Sequence, residues 1–134
     1  MRLYKKYVLP QLIMSGCNKR PQMRQRAKVI PHAKGAVLEV GIGSGLNLPF
    51  YDCKNVTKLV GIDPSIELWN KREHKKINFP FEFIPAIAEN LPFEKKSFDS
   101  IVITYTLCSI EDFKVALESL RKVLKPTGKL LFCE

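Results

Sequence analysis

Gly41, Gly43 and Gly45 stand at alternate positions just after Glu39, and Asp63 follows 18 residues after the last of them. Glycines spaced in this way let the backbone turn sharply and let a ligand approach without meeting a Cβ atom. A helix starting behind such a loop would add free N–H groups and a partial positive charge. A carboxylate at the position of Asp63 can accept hydrogen bonds from both hydroxyls of a ribose; it could equally cap the helix expected after Pro64. The loop alone is compatible with a dinucleotide, with S-adenosylmethionine (SAM) or with a tight turn that binds nothing. Its spacing narrows the choice. The dinucleotide fingerprint is G-x-G-x-x-G, whereas the third glycine here comes one residue early.

These residues need strand ends to hold them. Residues 36–40 form a short run of β-formers that stops at Gly41, and 56–62 form a second, closed by Asp63 and Pro64. Residues 81–84 alternate between Pro80 and Pro85, 98–104 make a fourth strand, and a fifth is expected to begin at Lys129. Helical segments fall between them. A short one spans 46–51 with Pro49 in its first turn, and another runs from its cap, Ser65, to about Lys76. A third follows Ile110, where Phe113, Val115, Ala116, Leu117, Leu120, Val123 and Leu124 share an apolar face; Pro126 stops it before a Thr127-Gly128 turn. Strands alternating with helices predict right-handed crossovers and an α/β, Rossmann-like, doubly wound parallel sheet. With five strands the expected order is 3-2-1-4-5. A ligand then belongs at the carboxyl ends of the strands, where the order reverses between strands 1 and 4.

The chain's 134 residues suffice for one core, and 46% apolar with 26% charged residues is ordinary for a globular protein. No apolar run approaches the roughly 18 residues of a membrane-spanning helix. The net charge of +9 is unevenly placed. Arg2, Lys5, Lys6, Lys19, Arg20, Arg24, Arg26, Lys28 and Lys34 all precede the first acid, and the remaining 13 bases balance the 13 acids. The basic part, residues 1–35, reads as two helices. The first is amphipathic, with Leu3, Tyr4, Tyr7, Val8, Leu12 and Ile13 on one side and a bend at Pro10; the second runs from about Lys19 to Ile30, with Asn18 as cap and Pro21 in its first turn. Residues 8–14 imitate a short signal peptide, but Pro10 and Gln11 interrupt them, and a cytoplasmic protein is expected. Cys17, Cys53, Cys108 and Cys133 show no C-x-x-C spacing, so free thiols are expected rather than disulfides or a metal centre.

Val37-Leu-Glu-Val-Gly-Ile-Gly-Ser-Gly-Leu-Asn47 resembles motif I of class I SAM-dependent methyltransferases, and Val60-Gly-Ile-Asp-Pro-Ser65 resembles their second motif. Ala88-Glu-Asn-Leu-Pro-Phe93 with Ser97-Phe-Asp-Ser-Ile-Val102, and then Leu120-Arg-Lys-Val-Leu-Lys-Pro-Thr-Gly-Lys-Leu-Leu131, are similar to the later motifs of the type 11 branch, the ubiquinone/menaquinone and phospholipid methyltransferase-like one. The resemblance covers residues 36–134. It implies SAM as cofactor, with Gly41, Gly43 and Gly45 around its methionine and ribose parts and Asp63 on the ribose hydroxyls. Pro64 and Ser65 would lie beside the adenine, and Ala88 and Glu89 along its edge. Thr104 would face the methionine end, Leu107 would wall the pocket nearby, and Glu39 would orient the cofactor's amino group, directly or through water. Two positions depart from the branch: Ile87 stands where an acid often receives the adenine amino group, and Thr127 where glycine is common. The family also usually adds strands 6 and 7 beside strand 5. They are absent from this sequence, so residues 36–134 are expected to form a SAM-binding domain truncated after strand 5, whose apolar edge would invite homodimerisation.

The implied reaction is methyl transfer to a small-molecule or lipid-like acceptor. SAM brings an activated methyl group, so the protein mainly binds, aligns and excludes water. No catalytic base is assigned; His32 and His74 are expected at the surface. Tyr105, Cys108 and Ser109 follow strand 4, where this fold often presents residues to the substrate, although Cys108 by itself reads first as a small buried hydrophobe. Leu107-Cys-Ser-Ile110 is similar to small methyltransferases associated with lipids or thiols. The basic N-terminal segment is expected to be a lid over the site, with peripheral contact to an anionic membrane as the second reading. Nucleic acid comes third, since no binding module for it is visible. A non-catalytic SAM-binding or interaction module stays open as a different class of function.

Overall fold

Five parallel strands in the order β3-β2-β1-β4-β5 form the centre of the molecule, as the alternation of strands and helices predicts. The computed structural model describes residues 19–71 and 76–134, together with Arg2, Tyr4, Val8, Leu9 and Leu12. Most of the amphipathic helix expected at 1–13, the cap Asn18, Cys17 and His74 lie outside the described residues. Along the chain come α1 (Arg20–Val29), β1 (Gly35–Val40), β2 (Val56–Ile62), α2 (Ile66–Asn70), β3 (Phe81–Ile84), β4 (Phe98–Thr104), α3 (Phe113–Val123) and β5 (Leu124–Cys133).

Because successive strand side chains point to opposite faces, the three central strands feed two cores. Leu38 and Val40 of β1, Val60 and Ile62 of β2 and Ile101 and Ile103 of β4 join Ala116, Leu120 and Val123 of α3 in one. Val37, Leu59 and Val102 point the other way and meet Ile30, Ala33 and Tyr51 in the second. Full burial of a Leu, Ile or Val contributes roughly 1.5–3 kcal/mol, so a one-residue slip of β1 would exchange both cores at once. That is what pins the register and hence the strand ends at which the glycine loop and Asp63 sit.

The bounds of β2, β3 and β4 coincide with the apolar runs read from the sequence. Ser65 caps α2 as expected, accepting from the Leu68 amide at 3.2 Å. That helix ends at Asn70 rather than near Lys76, which is not helical. The helix expected at 46–51 is only a 3-10 turn, Leu48–Phe50, with Pro49 at its start. Lys19, not Asn18, occupies the cap position of α1, without a side-chain cap.

At α3 the apolar face is narrower than the sequence pattern suggests. Asp112 caps it, its carboxylate accepting from the Val115 amide at 3.1 Å, and only Ala116, Leu120 and Val123 are buried. Phe113, Val115 and Leu117 are exposed. The fifth strand begins at Leu124, before the Pro126-Thr-Gly segment rather than after it. Leu124 pairs with Phe98 and Lys129 with Ser100, so the expected turn is a bulge within the strand. On the outer side of β5, Leu130 and Phe132 are exposed.

His32 is at the surface, as expected. Cys53, Cys108 and Cys133 are free thiols. Among the described residues no helix is long and apolar enough to cross a membrane, and no group of His, Cys, Asp and Glu could hold a metal ion.

Candidate active site

The carboxyl ends of β1, β2, β3 and β4 open into one cavity of about 300 Å³. At its floor the chain leaves β1 and turns back on itself. The amides of Gly41 and Ile42 both donate to the Ile62 carbonyl, at 2.8 and 3.0 Å, which ties the loop to the end of β2. Gly41, Gly43 and Gly45 all have positive φ (72°, 55° and 79°), the left-handed region that glycine enters without penalty. The three differ in what surrounds them. A Cβ on Gly41 would lie 2.3 Å from the Thr106 side chain, and one on Gly45 2.8 Å from Leu48. One on Gly43 would meet nothing closer than the Gly41 carbonyl at 4.0 Å, so that glycine leaves its space to the cavity.

Asp63 is buried on the cavity wall. One carboxylate oxygen accepts from the Gly43 amide at 3.0 Å and the other from the Ser65 amide at 2.7 Å. Burial raises its pKa above the usual carboxylate value, while those two N–H bonds pull it back. Each oxygen keeps a lone pair for a ligand hydroxyl. Pro64, Ser65, Ala88, Glu89, Thr104, Tyr105 and Ser109 also line the cavity, as do Gly41 and Gly43. Four of the residues expected there do not reach its wall. Gly45 is buried in the loop, Leu107 packs against the core, and Cys108 is exposed away from the cavity rather than a buried hydrophobe.

The fourth is Glu39. Two residues after Val37 in strand alternation, it points into the second core, where it is 1% exposed. Its oxygens accept from Asn47 Nδ2 and from the Tyr51 hydroxyl, both at 2.7 Å. Glu39 therefore does not reach the cavity wall in this arrangement, and the Asn47 it bonds is itself fully buried. Asn47 passes the connection on, donating to Thr104 Oγ1 at 2.9 Å and accepting from Arg26 Nη1 at 2.7 Å. Arg26 Nη1 also donates to Thr104 Oγ1 at 2.8 Å. Helix α1 is thus stitched to β1 and β4 by a buried polar chain.

Burial lifts the Glu39 carboxyl from its ordinary 4.5 to about 7, although the Tyr51 and Asn47 hydrogen bonds and the Arg26 charge oppose the rise. Between those two pH values the folded chain holds a proton that the unfolded chain has released. Stability therefore declines as pH rises from about 4.5 to about 7, on the order of 3 kcal/mol in all. Glu39→Gln should flatten that decline. Urea midpoints measured from pH 5 to pH 8 check it, and an unchanged slope in the variant would show that another group is responsible.

Several wall residues escaped the sequence reading: Arg26, Ile42, Ser44, Ala86 and Ile110, with Leu9 from the N-terminal segment. Arg26 sits in a helix whose other bases, Arg20, Arg24 and Lys28, are exposed. Nothing in the local pattern singles it out. Tyr105 has a positive φ of 51°, and its ring centre lies 5.0 Å from the Arg26 guanidinium carbon. The glycine loop also departs from expectation, because no long helix follows it; a three-residue 3-10 turn carries little dipole. The positive charge on the cavity wall comes from Arg26 instead, at the Thr104 side.

A family model described as a methyltransferase domain matches residues 38–132. The C-methyltransferase UbiE of ubiquinone and menaquinone biosynthesis from Rickettsia prowazekii is 33% identical, over 78% of this chain and 46% of its own length. The mouse thiol S-methyltransferase TMT1B is 32% identical, over 74% of this chain and 42% of its own. This chain thus spans less than half the length of these relatives. The crystal structure of a SAM-dependent methyltransferase from Thermotoga maritima superimposes with a TM-score of 0.67 at 22% identity, over 98% of this chain and 59% of that one, and shows the same fold.

The residues present fit SAM. Asp63 offers a buried carboxylate for a ribose diol, Gly43 leaves an unfilled cradle beside it, and Arg26 supplies a cation on the far side of β1 with an unpartnered Nε. With its 3-2-1-4-5 parallel sheet, its G-x-G-x-G loop facing Asp63 and the family match over most of its length, the chain belongs to the class I SAM-dependent methyltransferases of the type 11 branch, whose cofactor is SAM.

Proposed function

We propose that this chain transfers the methyl group of SAM to a small, apolar acceptor carrying a soft nucleophile, in the first place a thiol. The observation that carries this reading is the composition of the cavity under β4. Leu9, Tyr105, Ser109 and Ile110 line it, and the wall carboxylates Asp63 and Glu89 belong to the ends of β2 and β3. Among the residues that line the cavity no carboxylate or imidazole stands at the β4 end to take a proton; the carboxylate of Glu134 lies off the wall, accepting from the Thr106 and Leu107 amides. An ammonium acceptor would need such a base. A thiol, with an ordinary pKa near 8.5 against about 10.4 for an alkylamine, releases its proton to solvent far more readily.

SAM when bound supplies a methyl on a sulfonium; in-line transfer breaks that S–CH3 bond, forms a new one on the acceptor sulfur and leaves a neutral thioether. The chain's own residues hold and align. Asp63 and the glycine loop fix the nucleoside side, the Arg26–Asn47–Thr104 cluster the other. Leu9 and Ile110 keep water from the space between. Leu9 on the wall also supports the reading of the N-terminal segment as a lid in preference to peripheral contact with a membrane. By their names TMT1B methylates thiols at sulfur and UbiE is a C-methyltransferase of ubiquinone and menaquinone biosynthesis.

The test is formation of S-adenosylhomocysteine with an alkyl thiol, a quinol and a primary amine of matched size. Turnover at least about tenfold faster with the thiol or quinol than with the amine is expected. Turnover on the amine alone would overturn the acceptor class. Cofactor binding without turnover on any of the three would favour a non-catalytic SAM-binding module.

A further inference from the structure

Of the bases in the N-terminal part, Arg26 alone among the described residues is drawn inside: the residue is 4% exposed and lines the cofactor cavity. Its surroundings do not complete its bonding. Nη1 is taken by Asn47 Oδ1 and Thr104 Oγ1, both neutral groups, and Nε has no partner. Among the described residues no carboxylate hydrogen-bonds the guanidinium: Glu39, whose carboxyl feels the Arg26 charge, bonds Asn47 and Tyr51 instead. The Tyr105 ring, 5.0 Å from Cζ, covers it without bonding Nε. A guanidinium always carries its charge, and burying one with an N–H unmet is costly unless an anion completes the site.

The position tells which anion. Arg26 lies against Thr104 at the end of β4, while Asp63 closes β2, and β1 with its glycine loop runs between them. A ligand spanning the cavity must present hydroxyls at the Asp63 side and a negative charge at the Arg26 side. SAM does so, with its ribose diol and the α-carboxylate of its methionine part.

We propose that Arg26 receives the α-carboxylate of SAM on its Nε–Nη2 edge, and that the cofactor thereby ties helix α1 to the sheet. This rests on SAM being the ligand of the cavity. Arginine's planar fork matches a carboxylate with two parallel N–H bonds, which a lysine cannot reproduce.

Calorimetric titration with S-adenosylhomocysteine and with 5′-methylthioadenosine, which keeps the nucleoside and sulfur but lacks the amino-acid part, tests this. In Arg26→Met the affinity for S-adenosylhomocysteine should fall at least ~30-fold and that for 5′-methylthioadenosine less than ~threefold, with Arg26→Lys intermediate. Equal losses for both ligands would mean that Arg26 only holds Asn47 and Thr104 in place, and no loss for either would remove it from the site; both overturn the proposal. Should the variants fail to fold, the unaltered chain answers with the α-carboxamide of S-adenosylhomocysteine, which should bind at least ~30-fold more weakly than the acid. Equal affinity for acid and amide overturns the proposal. A parent chain that binds none of these nucleosides overturns the SAM reading itself, a pattern distinct from equal binding of all. Hydrogen exchange at residues 20–29 gives an independent readout: slowed by S-adenosylhomocysteine, unchanged by 5′-methylthioadenosine.

Discussion

Asp63→Ala should weaken S-adenosylhomocysteine binding by about 100-fold or more while leaving the chain folded. The carboxylate is already oriented by the Gly43 and Ser65 amides, so it meets a ribose diol without further ordering. Two hydrogen bonds to a charged acceptor contribute about 1.5–3 kcal/mol each, and about 3 kcal/mol corresponds to a factor of about 100 in affinity. The cost to the fold is smaller, because the two amides released lie at a cavity that water can enter. Asp63→Asn should do little better, since its NH2 group would face one of those N–H donors. Affinity in the unaltered chain should also decline in acid, beginning above the usual carboxylate range because burial raises the Asp63 pKa. Titration calorimetry with thermal melts checks both halves. Binding within threefold of the parent by Asp63→Ala would remove the aspartate from the cofactor site.

The largest effect on the fold is expected two residues after Glu39. In Gly41→Ala the new methyl would sit 2.3 Å from Cγ2 and Oγ1 of Thr106. Thr106 cannot swing aside freely, since its hydroxyl donates to the Thr104 carbonyl at 2.9 Å. The clash and the positive φ together should cost about 3 kcal/mol or more, which lowers Tm by roughly 10 °C in a domain of this size. Gly43→Ala shares the left-handed backbone but meets only open space. It should cost about 1 kcal/mol in stability yet reduce S-adenosylhomocysteine affinity at least about tenfold, because the methyl takes room the ligand needs. One substitution is read in the melt and the other in the titration. Similar melts for the two variants, with binding kept in Gly43→Ala, would refute the division of roles between the glycines.

The parts of this protein that were legible in its sequence are those whose information is local. Three of the strand bounds follow from the residues that close them, Asp63, Pro80, Pro85 and Ser97: β4 and most of β2 are buried on both faces and apolar, whereas β3, an edge strand, alternates. The glycine loop and Asp63 are adjacent to strand ends, so placing the strands placed them. Segments whose length depends on packing were harder. Helix α2 stops at Asn70 and the turn after the glycine loop stays a 3-10 turn, although the composition permits longer helices; neither has a broad apolar face to bury. Phe113, Val115 and Leu117 look like core by spacing, yet α3 meets the sheet along a narrower stripe.

Sequence alone determined the fold class, the strand order and one side of the cavity, with Asp63 and the open Gly43 where motif spacing put them. Only the tertiary structure decided the other side. Arg26 meets Thr104 across 78 positions of chain, and Glu39 is sealed behind Asn47 and Tyr51 instead of facing the cavity. A buried charge is specified by the groups that surround it after folding. One arginine among several in a basic helix therefore carries no local mark of its role, whereas a glycine loop between a strand and an aspartate does.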